Sequence, residues 1–261
     1  MTYHERSACP LCAGTPSAEK KRIIEKDGQS YAIETCERCS FVYNSNCLPD
    51  TAVAAAQTPP PPRPRHYQID YLLRTRLAQK PNPLVVEIGC GYGDVGLLVS
   101  QWGQFIGFEP SDTLCAVAAS RGLDARREFF AASALPRPAD AIILDNVLEH
   151  VHDPGGVFAT AAGALAKDGV LLVIVPNVYD IRRLDKTWRE RHLWALPEHL
   201  NYFSTSTLKM LFERHGLTFN HFGLEVLRSK ADVRFFPRAV CETFGVSLFG
   251  HNVFGVKREV R

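Results

Sequence analysis

The sequence predicts an α/β fold: a doubly wound, mostly parallel sheet of seven strands, with a small N-terminal module of the zinc-ribbon type. Three observations predict it. From His66 onward, short apolar strand patterns alternate with longer helical patterns, which is typical of a parallel sheet with helices on both faces. Five of the eight cysteines lie within the first 50 residues. A run of prolines separates these two parts of the chain.

The proline run marks a predicted domain boundary. It reads Thr58-Pro59-Pro60-Pro61-Pro62-Arg63-Pro64-Arg65. Consecutive prolines cannot join a helix or a central strand, so we expect an extended polyproline spacer here. We therefore predict a zinc-binding module over residues 1–57, a linker over 58–65 and an α/β domain over 66–261.

The α/β domain is expected to begin with an amphipathic helix from His66 to about Gln79. The predicted strands that follow are Leu84–Gly89, Phe105–Glu109, Ala125–Phe129, Ala141–Asp145, Val170–Pro176, Thr218–Val226 and Asn252–Arg258. The direction of the last two strands stays open, because no crossover helix pattern between them decides it.

Length and charge restrict the classes of function. A chain of 261 residues with 46% apolar content is long enough for one sizeable α/β domain and a small module. Its net charge is only +2, so we do not expect nucleic acid as the substrate. The first residues lack a basic start followed by an apolar core, and no stretch approaches the roughly 18 apolar residues of a membrane span. We expect a soluble, cytoplasmic protein.

Two Cys-x-x-Cys pairs predict a metal site in the N-terminal module. The four residues are Cys9, Cys12, Cys36 and Cys39, with 23 residues between the pairs. Each pair lets two thiolates converge on one tetrahedral ion, and four cysteine ligands leave no position open for water, so we expect a structural Zn²⁺. The alternatives are chance pairs or a redox-active Cys-x-x-Cys. The unpaired cysteines are expected to be small buried residues: Cys47, Cys90, Cys115 and Cys241.

A glycine-rich turn follows the first strand of the α/β domain, and it reads Glu87-Ile88-Gly89-Cys90-Gly91-Tyr92-Gly93. Residues without β-carbons let backbone amides approach a nucleotide-like ligand. Residues 91–96 also match the dinucleotide fingerprint G-x-G-x-x-G. The register argues against that match, because the strand ends at Gly89 and a fingerprint starting there would require glycine at the position of Asp94.

The turn resembles the E-x-G-x-G-x-G motif of class I S-adenosylmethionine-dependent methyltransferases, with Glu87, Gly89, Gly91 and Gly93 on its fixed positions. The segment after the fourth strand, residues 147–154, resembles the V-L-E-H-V-x-D-P signature of a branch of that family that acts on small molecules, and residues 171–177 resemble its next strand. These likenesses cover roughly residues 84–225. They imply a Rossmann-like methyltransferase fold with the turn against the methionine part of S-adenosylmethionine.

Further cofactor contacts are expected at the carboxyl ends of the next strands. Glu109, followed by Pro110, lies about 20 residues after the turn, where a carboxylate can accept the protons of both ribose hydroxyls. Asp145 and Asn146 end the fourth strand at the sheet edge where ligands bind in open α/β sheets. The family often has an acidic adenine contact after its third strand, but residues 126–133 offer no clear candidate.

Methyl transfer requires alignment of the acceptor with the methyl group and, for a protonated acceptor, removal of one proton. The candidate catalytic residues are His150 and His199, and we favour His199 as the general base because its segment follows the fifth strand. Either histidine could instead simply hydrogen-bond the backbone. The candidate acceptor contacts are Arg182, Arg183, Trp188 and Arg191, although a solvated helix face explains the arginines nearly as well.

Three functions remain open at this point. The first is a methyltransferase that acts on the oxygen, carbon or nitrogen of a small molecule such as a sugar, a glycan precursor or a natural product. This class fits the pairing of a two-knuckle zinc module with the methyltransferase pattern. The second is an RNA methyltransferase whose zinc module binds RNA. The third is a noncatalytic module that binds the cofactor or a partner protein. The sequence leaves the acceptor and the oligomeric state undefined.

Overall fold

The computed structural model describes residues 4–47, 50, 64–223, 226 and 236–258. The strands are β1 His4–Glu5, β2 Arg22–Lys26, β3 Gln29–Thr35, β4 Val42–Asn44, β5 Asn46–Cys47, β6 Leu84–Ile88, β7 Gln104–Phe108, β8 Ala125–Arg126, β9 Ala139–Asp145, β10 Leu165–Val175, β11 Asn201–Tyr202, β12 Asn220–His221 and β13 His251–Val256. The α-helices are α1 Pro64–Arg76, α2 Asp94–Val99, α3 Asp112–Ser120, α4 Pro154–Ala164, α5 Lys186–Trp188, α6 Thr205–Arg214 and α7 Phe236–Thr243.

A central sheet of seven strands has the order β12-β13-β10-β9-β6-β7-β8. The five strands from β10 to β8 are parallel, whereas β13 is antiparallel to both of its neighbours. The chain therefore leaves β6 towards β7 on one side and later fills β9 on the other. This change of direction opens a crevice at the carboxyl end of β6, which is where ligands bind in open α/β sheets. The predicted fold class is confirmed.

The central strands are mostly apolar because both faces of the sheet are covered. Val86 and Ile88 of β6 pack on one face with Phe158 of α4 and Phe212 of α6. Val85 packs on the opposite face, in a cluster that α1 and α2 share. This alternation follows from the two-residue period of a strand.

The N-terminal module contributes its apolar residues to the core of the α/β domain. Cys9, Leu11 and Phe41 belong to the same buried cluster as the strand residues on the α4 side of the sheet. In addition, β11 completes the four-stranded sheet of the module, whose order is β11-β4-β3-β2. The module is thus built partly from residues that follow the fifth strand of the central sheet.

Several predicted elements differ in extent from the observed ones. The third strand of the central sheet, β8, has only two residues, and the predicted strand from Thr218 shortens to β12, since both lie at the sheet edges and have fewer partners. β10 starts earlier than predicted, with an irregular register between Leu165 and Val170. The predicted linker lies mostly outside the described residues, but its last two residues already belong to α1. The domain boundaries remain a prediction.

Within the described part of the chain, no helix is long and apolar enough to cross a membrane.

Candidate functional site

The glycine-rich turn connects β6 to α2 in a conformation that favours glycine. Gly89, Gly91 and Gly93 have φ angles of 70°, 54° and 77°, in the left-handed region where a β-carbon costs energy. At Gly89 a β-carbon would also lie 2.7 Å from Cγ2 of Val147. The turn therefore needs glycine both for its backbone and for close packing against the segment after β9.

Glu109 fixes the turn to the end of the neighbouring strand. Its Oε2 accepts a hydrogen bond from the Gly91 amide at 3.0 Å, and its Oε1 accepts one from the Ser111 amide at 2.9 Å. Burial raises the pKa of Glu109, and the two amide hydrogen bonds oppose that rise. Each carboxylate oxygen can accept more than one hydrogen bond, so the side chain still has acceptor capacity for hydroxyl groups.

A cavity of about 370 Å³ lies at the carboxyl ends of β6, β7 and β9. Four of the predicted cofactor residues line it: Gly89, Glu109, Pro110 and Asn146. The other four are not among its lining residues: Glu87, Gly91, Gly93 and Asp145. Glu87 is buried within β6, and Oδ2 of Asp145 lies 4.0 Å from Nε2 of His66 on α1.

Three residues after the third strand line the cavity but were not predicted from the sequence: Glu128, Phe129 and Phe130. Glu128 is an acidic residue in the segment where no clear acidic candidate was expected. Phe130 packs edge-on against Phe108, with 5.1 Å between ring centroids. The adjacent aromatic residues Phe129 and Phe130 are the sequence signal from which this wall could have been predicted.

A second cavity, of about 560 Å³, adjoins the first. Asn146 and His150 line both cavities. Asn146 has a φ of 55° and its amide donates to the Ile174 carbonyl at 2.8 Å, which turns the chain sharply at the end of β9. The segment after β9 therefore forms the boundary between the two cavities.

The arginine-rich segment after β10 lies on the second cavity. Three of the predicted acceptor contacts line it: Arg182, Trp188 and Arg191. Arg182 is held by Asp180, with a distance of 2.7 Å between Nη2 and Oδ2, and its guanidinium stacks over the Trp188 ring. Arg183 instead lines a separate groove beside the N-terminal sheet. The structure thus divides the four candidates between two surfaces.

His150 and His199 meet at the second cavity, with ring centroids 4.9 Å apart. Nδ1 of His150 lies 3.0 Å from the Glu198 carbonyl, and Nδ1 of His199 lies 3.1 Å from the Leu193 carbonyl. Both histidines thus hydrogen-bond the backbone, as the simpler interpretation held, but their location at the cavity is compatible with a catalytic role. Burial lowers the pKa of His150 to about 4 and that of His199 to about 3.

The four predicted metal ligands lie together. The distances between sulfur atoms are 3.6 Å for Cys9 and Cys39, 3.4 Å for Cys12 and Cys36, and 3.4 Å for Cys12 and Cys39. Ligands of a tetrahedral zinc ion with bonds near 2.3 Å are roughly 3.8 Å apart, so the cluster fits such an ion closely. Backbone amides of Leu11 and Cys12 also donate to the Cys9 sulfur, which stabilises a thiolate.

The remaining cysteines are mostly buried as expected. Cys47, Cys90 and Cys115 are buried, whereas Cys241 is half-buried.

A family model described as "Methyltransferase domain" matches residues 63–221, more than half of the chain. The chain belongs to this methyltransferase family. The methyltransferase is also 30% identical over 149 residues to the C-methyltransferase NovU of Streptomyces niveus. That match covers 54% of this chain and 34% of NovU, so the chain spans about a third of the relative's length.

Solved structures confirm the class I fold of the methyltransferase. The YcgJ protein of Bacillus subtilis aligns with a TM-score of 0.51 and 19% identity, covering 73% of this chain and 99% of YcgJ. An S-adenosylmethionine-dependent methyltransferase of Archaeoglobus fulgidus gives 0.51 and 16%, covering 74% and 94%. The plantazolicin methyltransferase BamL, solved with S-adenosylhomocysteine, gives 0.53 and 18%, covering 75% and 85%. At these identities the likeness concerns the fold alone.

Proposed function

We propose that this methyltransferase transfers the methyl group of S-adenosylmethionine to an oxygen, carbon or nitrogen atom of a small molecule. One observation carries the proposal: two cavities of about 370 and 560 Å³ meet at Asn146 and His150. Displacement at a methyl carbon needs the donor and the acceptor in line across a short distance. A shared boundary between a cofactor cavity and an acceptor cavity provides that arrangement.

The first cavity is proposed as the cofactor site. Glu109, with Pro110 beside it, would bind the ribose hydroxyls through the acceptor capacity that its amide contacts leave free. Phe129 and Phe130 would supply an apolar wall for the adenine, beside the carboxylate of Glu128 on the same cavity. The other predicted cofactor residues are proposed to hold the methionine part, through the turn and the end of β9: Glu87, Gly89, Gly91, Gly93, Asp145 and Asn146.

The second cavity is proposed as the acceptor site. Its volume of about 560 Å³ is within the usual range of small-molecule pockets, about 300–1,000 Å³. Arg182 and Trp188 on its wall offer a cation and an aromatic face to a polar acceptor. With a net charge of +2 the chain lacks the basic excess of most RNA-binding enzymes, which favours a small-molecule acceptor over RNA.

His199, with His150 beside it, is proposed to act on the proton of the acceptor. The carbonyl partners of both Nδ1 atoms only accept hydrogen bonds, so each Nδ1 carries the ring proton and each Nε2 keeps a lone pair. Such a lone pair at the acceptor site can promote removal of a proton. His150 lines both cavities and would lie nearest the methyl group.

The cysteine cluster is proposed to hold one structural Zn²⁺. Four thiolates fill the coordination sphere and leave no position for a reacting group. The module over residues 1–57, joined through residues 58–65 to the catalytic domain over 66–261, would then depend on the ion for part of its folding free energy.

Calorimetry and turnover assays test the proposal. The protein should bind S-adenosylmethionine and S-adenosylhomocysteine, and Glu109→Gln should weaken that binding about tenfold or more, because a charged hydrogen-bond acceptor is lost. A donor with a labelled methyl group should then label small hydroxylated or aminated acceptors, but not RNA, in a panel that contains both. Lack of cofactor binding, or labelling of RNA alone, would contradict the proposal.

A second variant tests the acceptor side. His199→Ala should abolish turnover and leave cofactor affinity nearly unchanged. His215→Ala is the matched control, because His215 packs against Phe158 away from both cavities. Near-normal turnover of His199→Ala would remove this histidine from the mechanism.

A further inference from the structure

Three potential ligand side chains converge at the acceptor cavity. Glu149, His150 and His199 each place one ligand atom within 4.8 Å of the others. Oε1 of Glu149 lies 3.9 Å from Nε2 of His150. The cluster is separate from the four cysteines, and its first two residues lie within the segment that links β9 to α4.

The backbone holds these side chains in place. The amides of Leu200 and Asn201 both donate to the Glu149 carbonyl, at 2.7 and 3.1 Å. The His150 ring in turn donates to the Glu198 carbonyl. Each of the two segments, the one after β9 and the one before β11, therefore donates hydrogen bonds to the other. These contacts fix the relative positions of the two histidines.

The tautomers of both rings suit metal ligation. Each Nδ1 faces a backbone carbonyl and must donate, so the lone pair of each neutral ring is on Nε2. Histidines that bind metals through one nitrogen usually donate from the other nitrogen to a carbonyl or carboxylate, which orients the ring. Both members of this pair have that second contact.

We propose that Glu149, His150 and His199 bind one divalent transition-metal ion, which holds a hydroxyl oxygen of the methyl acceptor. Two imidazoles and one carboxylate are a ligand set that Zn²⁺ and Fe²⁺ accept, and three protein ligands leave positions open for a substrate. The three atoms would approach to roughly 3.4 Å of one another around a tetrahedral ion. This requires side-chain movements of up to about 1.4 Å and no change in the backbone contacts.

The proposal rests on the proposed function, because it takes the second cavity as the acceptor site. A bound ion lowers the pKa of a hydroxyl that it ligates. The hydroxyl proton passes to water in the cavity, and an oxygen electron pair forms the bond to the methyl carbon. The carbon–sulfur bond of the donor breaks, and its electron pair stays on sulfur. With the ion bound, the Nε2 lone pair of His199 ligates the metal, so His199 promotes loss of the acceptor proton through the ion; without the ion, the same lone pair can accept the proton directly.

Cobalt binding tests this site by a readout other than activity. The protein, with zinc retained in the cysteine site, is titrated with Co²⁺ in the presence of S-adenosylhomocysteine. We expect about one added equivalent, with visible absorption bands typical of nitrogen and oxygen ligands and without the strong near-ultraviolet bands of thiolate ligation. Glu149→Gln and His199→Gln should each weaken Co²⁺ binding at least about tenfold.

Matched controls separate the possible results. Glu198→Gln changes a neighbouring acid outside the cluster and should leave Co²⁺ binding unchanged. Melting temperature and cofactor affinity establish that each variant is folded. Absence of Co²⁺ binding in the wild-type protein, or equal binding in a folded Glu149→Gln variant, overturns the ion site. If S-adenosylmethionine still binds, such a result leaves the proposed function intact. If the wild-type protein does not bind S-adenosylmethionine at all, the proposed function itself is contradicted.

Discussion

Nη1 of Arg6 donates a hydrogen bond of 2.9 Å to Oδ1 of Asn201, although 195 residues separate them. The Arg6 side chain also donates to the Val151 carbonyl, and the side-chain Nδ2 of Asn201 donates to the carbonyls of Leu148 and Val151. Arg6, which directly follows the first strand of the cysteine module, thereby connects the module to the segment that carries His150. The module therefore supports the geometry of the candidate acceptor site through direct hydrogen bonds.

Arg6→Met tests this connection. The substitution keeps most of the buried alkyl chain but leaves Oδ1 of Asn201 without its donor, whereas the Val151 carbonyl still accepts a hydrogen bond from Asn201, so we expect a loss of about 1–3 kcal/mol in the free energy of unfolding. Denaturant titration measures it. A double-mutant cycle with Asn201→Leu should give a coupling energy of at least about 0.5 kcal/mol, while Arg22→Met on an exposed strand position should be nearly neutral. If the unfolding free-energy changes of Arg6→Met and Asn201→Leu simply add in the double variant, the contact between the two side chains contributes little to stability.

The cysteine cluster predicts a defined metal content. The Cys36→Ser/Cys39→Ser variant should lose one equivalent of zinc relative to the wild-type protein, because two thiolates cannot retain an ion that four hold. Elemental analysis of both purified proteins measures this, and a lower melting temperature should accompany the loss. Cys241→Ser, outside the cluster, is the control. An unchanged zinc content in the double variant would refute the assignment.

Gly89→Ala should damage the cofactor site as well as the fold. The alanine would have a φ of 70° and a β-carbon 2.7 Å from Val147, whose branched side chain lines the cofactor cavity and has few alternative rotamers. We expect a loss of more than about 1–2 kcal/mol in stability and a weaker affinity for S-adenosylmethionine, measured by calorimetry.

Gly122→Ala provides the control for backbone strain alone. Its φ is 83° and no atom lies within 4 Å of the added β-carbon. This variant should be less stable than wild type but bind the cofactor normally. Equal cofactor affinity in the Gly89 and Gly122 variants would contradict the role given to close packing at the turn.

His251 predicts a loss of stability in acid. Burial, followed by the positive potential of His221 and Arg238, lowers its pKa to about 3. Unfolded histidine has a pKa near 6.5, so below that pH the unfolded chain takes up a proton that the folded chain excludes. Stability should therefore fall as the pH falls from about 6.5 towards 3, by up to roughly 1.4 kcal/mol per pH unit for this group.

Denaturant titrations at pH 7.5 and pH 5 measure this effect. Other buried histidines contribute in the same direction, so the comparison is with His251→Leu, which lacks the titrating ring. The variant should show a smaller fall in stability between the two pH values. Equal falls would indicate that His251 is protonated in the folded protein.

Much of the fold was predictable because local patterns and tertiary packing agree. Strand β6 is apolar except for Glu87 and runs directly into glycines, so its type, its burial and the turn after it could all be inferred. The edge strands could not be predicted as well, since β8 and β12 are defined by a few hydrogen bonds to neighbours and carry weak patterns. The antiparallel direction of β13 depends on its pairing with β10, a contact between distant segments.

The candidate site divides in the same way. Some candidate residues have spacings set by one strand, one turn or one knuckle, so the sequence alone predicted them: Cys9, Cys12, Cys36, Cys39, the glycines of the turn and Glu109. Only the tertiary structure brought His150 beside His199, joined Arg6 to Asn201 and placed Phe129 and Phe130 on the cavity proposed for the cofactor. The physical reason is that these contacts form between segments that are distant in sequence and that come together only where separate strands end at one edge of the sheet. Local sequence periodicity carries no information about such contacts.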